Sequence, residues 1–298
     1  MDCVSTPALE RARWRALLTA ATVVVSLLTA FAQNDALDEM VRTERRFAER
    51  ALVVGWKQAF LEFFADSASG FDGDQVVPAK ALFRNVPDPP KDVRLIWEPR
   101  YGDIASSGDF GYLTGPVRRI NPALNGGQPQ YSIYASVWKR QADGSFRVVM
   151  DMGLPTPAAV MFPPGFTRAP QTPRFARSTD VQSAVKSLRD TDAALTNALR
   201  RGQSDAYRGH LAEGARLHRP DVMPIVGEQA IVAWLAGQPR SAAGESKFAD
   251  TSMAADLGYT YGTYALEGSQ ASHGFYVRVW SRGRDGVWRV ALDVLQPQ

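Results

Sequence analysis

Few side chains in this sequence have the type and spacing of a catalytic or metal-ligating group. The three histidines are His210, His218 and His273, and no two of them have the spacing of a metal-binding pair. The only cysteine, Cys3, stands before an apolar N-terminal segment. The sequence has no glycine-rich phosphate loop and no nucleophile elbow. We therefore expect no bound metal, no cofactor and no thiol chemistry.

Aromatic residues mixed with polar ones are the best candidates for a binding site. Because side chains alternate between the two faces of a strand, three sets of them each share one face. These sets are Tyr134, Ser136 and Trp138; Tyr259 and Tyr261; and Tyr276, Arg278 and Trp280. A few polar groups among apolar walls are typical of a pocket for a small ligand. The alternative is core packing together with one sheet–sheet interface, and for the tryptophans we favour that alternative.

The strands that carry these residues belong to an internal repeat. Residues 137–151 and 279–293 are identical at 8 of 15 positions with an offset of 142. Upstream, Asp109 to Tyr112 and Gly115 match Asp256 to Tyr259 and Gly262 with an offset of 147. The difference of the two offsets, 147 − 142 = 5, predicts five extra residues in the first copy. The turn-rich segment 119–127 can hold them as a longer loop.

Each copy has the pattern of helices followed by strands. Apolar residues at helical spacing predict helices over 37–54 and 181–199, and further helices over 207–212 and 228–235. Strands are predicted over 257–264, 275–280 and 288–295. Asp143-Gly144 and Asp285-Gly286 suit tight turns between the last two strands of each copy.

One charged pair recurs in the last strand of both copies. Arg147 precedes Asp151 by four residues, and Arg289 precedes Asp293 in the same way. Residues four apart on a regular strand share a face. We therefore expect a structural salt bridge that both copies share, rather than a catalytic pair.

The N-terminus has the form of a signal peptide. Arg11, Arg13 and Arg15 precede the apolar run 16–31, and Ala30-Phe31-Ala32 is a small-x-small cleavage site. The alternative is a membrane anchor, but the run is shorter than the roughly 20 residues that a span needs. We expect a mature chain that begins at Gln33, is not inserted in a membrane, and is periplasmic or secreted.

The composition is that of a globular protein with two domains. Of its 298 residues 45% are hydrophobic and 22% are charged, and the net charge of +3 gives no reason to expect a nucleic-acid partner. A proline-rich stretch over 155–177 indicates a semi-rigid linker. We therefore divide the chain into a signal peptide (1–32), a first domain (33–154), the linker (155–177) and a second domain (178–298).

Several segments resemble the nuclear transport factor 2-like superfamily, also called SnoaL-like or cystatin-like. They are the segment Phe63 to Phe71 (FFADSASGF), the segment Ser107 to Gly115 (SGDFGYLTG), and Val137-Trp138 with the Asp-Gly turn that follows. Similar domains of unknown function occur in exported bacterial proteins. The resemblance implies an α+β fold of two tandem cones. In each cone about three N-terminal helices pack on a curved antiparallel sheet that encloses a pocket.

The same resemblance implies how the two domains meet. Members of the superfamily commonly dimerise by packing their sheets face to face. The linker of roughly 23 residues, at about 3 Å per extended residue, is long enough for the two copies in one chain to do the same. We therefore expect an intramolecular pseudo-dimer that is monomeric in solution.

For function the resemblance leaves two hypotheses. In the steroid isomerase branch a catalytic acid follows the helix-to-strand junction, where this chain has Asp72 in the first copy and Arg219 in the second. That branch also uses a tyrosine and a protonated acid as an oxyanion hole, but the matching strand offers Tyr134 and Ser136 and no carboxyl group. In the second copy His218 follows the junction and is a candidate base, although a half-buried strand histidine is the favoured interpretation.

The first hypothesis is accordingly a non-catalytic exported protein that binds a small, partly apolar ligand in its cone. The second is a lyase- or isomerase-like enzyme that uses Asp72 or His218 alone. The sequence favours the first, because neither copy has a recognisable acid–base pair.

Overall fold

The computed structural model describes residues 33–170, 180–268 and 272–298. The predicted signal peptide, residues 171–177 of the predicted linker and the first two residues of the predicted second domain lie outside these ranges. Within the described ranges, no helix has the length and apolar character needed to cross a membrane.

The first half of the described chain is an α+β unit with three helices and a curved sheet. The helices are α1 (33–54), α2 (Trp56–Phe63) and α3 (Ala79–Asn85). The strands are β1 (Ser69–Asp72), β2 (Gln75–Pro78), β3 (Arg94–Trp97), β4 (Tyr101–Ile104), β5 (Phe110–Ile120), β6 (Gln130–Arg140), β7 (Phe146–Pro155) and β8 (Thr167–Arg168). The main sheet has the order β7-β6-β5-β4-β8 with β3 also paired to β5, while β1 and β2 form a separate hairpin.

The second half repeats this arrangement. Its helices are α4 (Val181–Ala198), α5 (Gln203–Tyr207) and α6 (Glu228–Leu235). Its strands are β9 (Leu211–His218), β10 (Ile225–Val226), β11 (Ser241–Thr251), β12 (Leu257–Leu266), β13 (His273–Arg282) and β14 (Trp288–Pro297). The sheet order is β10-β9-β14-β13-β12-β11. Both sheets are mixed rather than antiparallel throughout, because β9 runs parallel to β14 and β8 parallel to β4.

The local patterns account for most of these elements. Helix α4 begins after Asp180, whose carboxylate accepts a hydrogen bond from the Ser183 amide at 3.0 Å, and it buries Leu188 and Leu195. The helix predicted over 207–212 is wrong in position: α5 ends at Tyr207, and Gly209, with φ of +73°, turns the chain into strand β9. The longer loop predicted in the first half lies where expected, between β5 and β6.

A β-bulge recurs in the last hairpin of each sheet. Trp138 pairs with Gly111 and Val148, and Trp280 pairs in the same way with Gly258 and Val290, so the two tryptophans are equivalent. In each last strand the register shifts by one residue just after this pair, as a bulge requires.

That bulge overturns the expected Arg–Asp salt bridge. The inserted residue reverses the alternation of side chains, so the arginine and the aspartate of each last strand no longer share a face. Arg289 instead pairs with Asp285 at 2.6 Å, and Arg147 donates to the main-chain oxygen of Glu62. The two aspartates turn towards the helices.

The two sheets pack against each other through their faces opposite the helices. Tyr259, Tyr261 and Val279 of the second sheet belong to the same buried cluster as Phe110 and Met150 of the first sheet. At one edge Lys139 Nζ lies 2.5 Å from Asp250 Oδ2.

The contact between the halves is close to twofold symmetric. The Ser106 amide donates to Asp256 Oδ2 at 2.9 Å, and the Met253 amide donates to Asp109 Oδ2 at 3.1 Å. Ser106 matches Met253, and Asp109 matches Asp256, at the repeat offset of 147. Each half therefore gives the other the same hydrogen bond, as in a symmetric dimer.

Much of the predicted linker is packed structure. Strand β7 continues to Pro155, Val160 and Ala169 are buried, and the Thr167–Arg168 strand pairs with β4 at the edge of the first sheet. The linker therefore belongs to the first half as far as residue 170.

We expect residues 33–298 to be monomeric in solution, because the sheet faces that could pair two chains are already buried between the halves. Light scattering coupled to size exclusion should give the mass of one chain across a hundredfold range of concentration. A concentration-independent mass of two chains would contradict this prediction.

Candidate functional site

The two halves differ where the chain leaves the second helix. Phe64 bridges to Val148 in the first half, as Leu211 pairs with Val290 in the second. In the second half β9 then continues alongside β14 as far as His218. In the first half the chain turns away into the β1–β2 hairpin, and Phe71 stacks on Phe275 of the other half with ring centroids 4.1 Å apart. In the described chain, no strand pairs with this edge of β7 beyond Val148.

A cavity of about 360 Å³ lies beside this uncovered part of β7 in the first half. Four aromatic rings contribute to its walls, those of Phe47, Trp56, Phe60 and Trp97. Its polar lining comes from Arg119, Ser132, Tyr134 and Asp151. Apolar walls with a few polar groups are the usual make-up of a small-molecule site.

A buried carboxylate stands behind this cavity. Glu44 of α1 is 1% exposed and accepts hydrogen bonds from Trp97 Nε1 at 2.6 Å, Ser136 Oγ at 2.8 Å and Trp138 Nε1 at 2.9 Å. An indole N–H can only donate, so two of these three bonds require an acceptor. Burial raises the pKa of Glu44, and the three hydrogen bonds oppose that rise.

Asp151 and Tyr134 both face the cavity, and neither side chain has a polar partner among the described residues. The Tyr134 hydroxyl is buried and, among the described residues, has no hydrogen-bond partner. No cation of the described chain lies within ion-pair distance of Asp151. Burial, and then the nearby Glu44 carboxylate, raise the pKa of Asp151 well above its usual value. Asp151 is therefore a carboxyl group without a positively charged partner among the described residues.

In the second half, the guanidinium of Arg278 lies beside the aspartate that is equivalent to Asp151. Arg278 is equivalent to Ser136, and each stands opposite the last-strand aspartate of its sheet. Arg278 Nε donates to Asp293 Oδ2 at 2.7 Å, and Nη1 donates to Asp192 Oδ1 at 2.7 Å. All three of these charged side chains are at most 1% exposed.

Further groups complete this network around Asp293. Arg219 Nη1 lies 2.7 Å from Asp293 Oδ1, and the Tyr207 hydroxyl donates to Oδ2. Burial alone would raise the pKa of Asp293, but Arg219 and Arg278 outweigh it and hold that pKa below its usual range. The second half therefore fills its cone with a neutralised polar network.

Three replacements account for the difference between the halves. At the repeat offsets, Ser136 stands for Arg278, Phe60 for Tyr207 and Gly153 for Leu295. Each one is smaller or less polar in the first half. The first half thus retains a cavity and an uncompensated carboxyl group, where the second half is packed.

The structure separates the predicted ligand-binding residues into three places. Tyr134 lines the cavity, and Ser136 and Trp138 bind Glu44 behind it. Tyr259 and Tyr261 are buried between the two sheets, and Tyr276 and Arg278 belong to the charged network of the second half.

Neither predicted catalytic residue lines the first-half cavity. Asp72 is exposed on the β1–β2 hairpin, which carries it away from the cone. His218 is 1% exposed, and burial, followed by Arg216 and Arg219, lowers its pKa to about 3. A neutral, enclosed imidazole has no path to a substrate.

The sequence interpretation missed Glu44, Phe60 and Trp97, and it assigned Asp151 to a salt bridge. One signal for Asp151 was present in the repeat. An aspartate recurs at 151 and 293, while the residue opposite changes from serine to arginine. Within the described ranges, no group of three or more histidine, cysteine, aspartate or glutamate residues is placed to hold a metal ion.

The chain matches no known family profile and no curated protein. Among solved structures, it is similar to a domain of unknown function with a cystatin-like fold from Nostoc punctiforme, at 17% identity and a TM-score of 0.32 over 39% of this chain and 77% of that one. It is also similar to a ketosteroid isomerase-like protein from Erwinia carotovora, at 13% identity and a TM-score of 0.33 over 38% of this chain and 92% of that one.

A third similar structure is a Mycobacterium tuberculosis protein in complex with estradiol-17beta-hemisuccinate, at 12% identity and a TM-score of 0.29 over 35% of this chain and 88% of that one. These values are too low to assign the chain to a family or to transfer a ligand.

Replacing each of the two equivalent aspartates by asparagine should change the free energy of unfolding in opposite directions. The raised pKa of Asp151 means that the folded protein holds this proton more tightly than the unfolded chain does. Wild type therefore loses stability, by at most about 1.4 kcal/mol per pH unit, as pH rises from about 4 towards that raised pKa. Asp151→Asn removes this loss. In urea unfolding, the free energy of unfolding of the variant should therefore rise relative to that of wild type as pH rises.

Asp293→Asn is the matched comparison. The lowered pKa of Asp293 contributes stability that is present above the ordinary carboxyl pKa and is lost as pH falls through the lowered value. Its amidation leaves Arg219 and Arg278 short of countercharge, and we expect a cost of about 3–5 kcal/mol near neutral pH. Equal losses of stability in the two variants would refute the assignment of the two sites.

Proposed function

We propose that the protein binds a small, partly apolar ligand in the cavity of its first half, and that the second half is a structural copy. The observation that carries this proposal is the contrast between equivalent positions. Arg278, Tyr207 and Leu295 occupy the second cone, whereas the first has Ser136, Phe60 and Gly153 at the equivalent positions, and Phe60 and Gly153 line its cavity.

The lining of the cavity supports a ligand of mixed character. Its aromatic rings provide apolar contact, and the Tyr134 hydroxyl and the Asp151 carboxyl provide polar contact. A buried polar group without a partner costs about 1–3 kcal/mol. A ligand that hydrogen-bonds to the buried Tyr134 hydroxyl offsets that cost and is selected over one that cannot.

The enzymatic alternative has less support. A general acid or base must come within hydrogen-bond reach of its substrate. Asp72 is on an exposed hairpin and His218 is enclosed, so neither is placed to act on a molecule in the cavity. We therefore favour binding without catalysis by these two residues.

We also propose that the protein is exported as two tandem domains of the nuclear transport factor 2-like type, 33–154 and 178–298. The basic, apolar and small-residue segments of 1–32 support export. Mass spectrometry of protein from its native host should find an N-terminus at Gln33, and intact residues before Gln33 would contradict cleavage.

The binding proposal is tested by filling the cavity from its backbone. Gly153→Leu installs the residue that the second half has at 295, and a Cβ at 153 meets no atom within 4 Å. The side chain should then occupy the cavity. With 2-naphthol as the probe and quenching of tryptophan fluorescence as the readout, we expect the variant to bind at least tenfold more weakly than wild type.

Gly237→Leu serves as the control, because Gly237 is exposed in the second half and a Cβ there meets only the Trp234 oxygen at 3.9 Å. Its affinity for 2-naphthol should equal that of wild type. Wild-type affinity in Gly153→Leu would refute the proposed site, and so would the failure of neutral and charged aromatic probes alike to bind wild type.

A further inference from the structure

The second half shows what satisfies this arrangement of side chains. Its cone contains a guanidinium between two carboxylates, Asp192 from the long helix and Asp293 from the last strand. The cation also lies over an aromatic ring, with Arg278 Cζ 3.9 Å from the centroid of Tyr276. Carboxylates and an aromatic face are together a recognised environment for an organic cation.

The first half keeps the surroundings of this cation and lacks the cation. Asp151 is equivalent to Asp293, and Tyr134 is equivalent to Tyr276. Glu44 reaches Ser136 from α1 just as Asp192 reaches Arg278 from α4. The arginine itself is replaced by a serine, whose hydroxyl carries no charge.

We propose that the first-half cavity binds a small organic cation, an amine or amidine with an apolar or aromatic flank, whose charge takes the position that Arg278 holds in the second half. Asp151 gives up its proton to the solvent when the cation binds and then becomes its direct countercharge, Glu44 lies behind it as a second carboxyl group, and the aromatic walls hold the flank. This inference rests on the proposed binding function and specifies its ligand class.

Three observations support a cation over a neutral or anionic ligand. Two carboxyl groups, Asp151 and Glu44, act on each other here, and no cation of the described chain pairs with either one. Tyr134 is 4% exposed and lines the cavity, and its hydroxyl, which lacks a partner in the described chain, can accept a hydrogen bond from an N–H donor. The walls are aromatic, and the face of an aromatic ring attracts positive charge.

Arg119 is the one cation in the lining, and it is at the rim. Arg119 is exposed, and its Nη1 donates to Gln130 Oε1 at 3.3 Å. Charges in contact with solvent are screened within about 10 Å at ordinary ionic strength, whereas Glu44 is buried and Asp151 is half-buried, so both are screened less. The inner end of the cavity therefore favours a cation, which lowers the pKa of Asp151 and releases its proton as it binds.

The test compares three molecules of nearly equal shape and different charge. Benzamidine is a cation, benzamide is neutral and benzoate is an anion, and isothermal titration calorimetry gives the affinity of each. We expect benzamidine to bind residues 33–298 at least tenfold more tightly than benzamide, and benzoate to bind more weakly than both.

Two variants locate the cation. Asp151→Asn should reduce the affinity for benzamidine at least tenfold and change the affinity for benzamide less than threefold. Ser136→Arg supplies the guanidinium within the chain, so it should abolish benzamidine binding. The midpoint of unfolding of this variant should equal or exceed that of wild type. Gln128→Arg adds the same charge on an exposed loop and should leave both affinities unchanged.

The outcomes distinguish this inference from the function on which it rests. If 2-naphthol binds but benzamidine binds no better than benzamide, the cavity is a binding site and the cation is overturned. If Ser136→Arg is folded and binds benzamidine with wild-type affinity, the cation does not take the position of Arg278. If neither 2-naphthol nor benzamidine binds, the proposed function fails together with the inference.

Discussion

A carboxylate at one position of the last strand is the constraint around which both halves are organised. A β-bulge turns Asp151 and Asp293 towards the helices, into surroundings where an isolated charge is costly. The second half meets that cost with two arginines and a tyrosine. The first half has none of these, so its aspartate favours the protonated form and borders a cavity.

The path of one short segment decides between these two outcomes. When β9 stays beside β14 it brings Arg219 to Asp293. When the matching segment of the first half leaves as the β1–β2 hairpin, it uncovers β7 and places Phe71 on Phe275. This change of path acts together with the three side-chain replacements to open the cavity, and it also adds aromatic contact between the halves.

The second half supports the first half by packing its sheet against the first sheet. Its charged network lies on the helix side of the second sheet, while Tyr259 and Tyr261 on the other side pack against the first sheet. A buried network of this kind is costly to disrupt, since removing one partner leaves another charge uncompensated. The charges of the second copy are thus paired within the chain, and its sheet packs on the face of the first sheet that lies away from the cavity.

The sequence by itself determined the repeat, the long helices, the last three strands and the Asp-Gly turns of the second half, because these follow from periodicity and turn preference within short windows. It also pointed to Tyr134 and Ser136. It could not place Glu44, which meets Ser136 across 92 residues, or the bulges that reverse the side-chain alternation before Asp151 and Asp293. Nor could it show that Asp72 leaves the cone with a hairpin, because its path depends on Phe71 finding Phe275 in the other half. Those contacts join residues far apart in the chain, and only the tertiary structure brings them together.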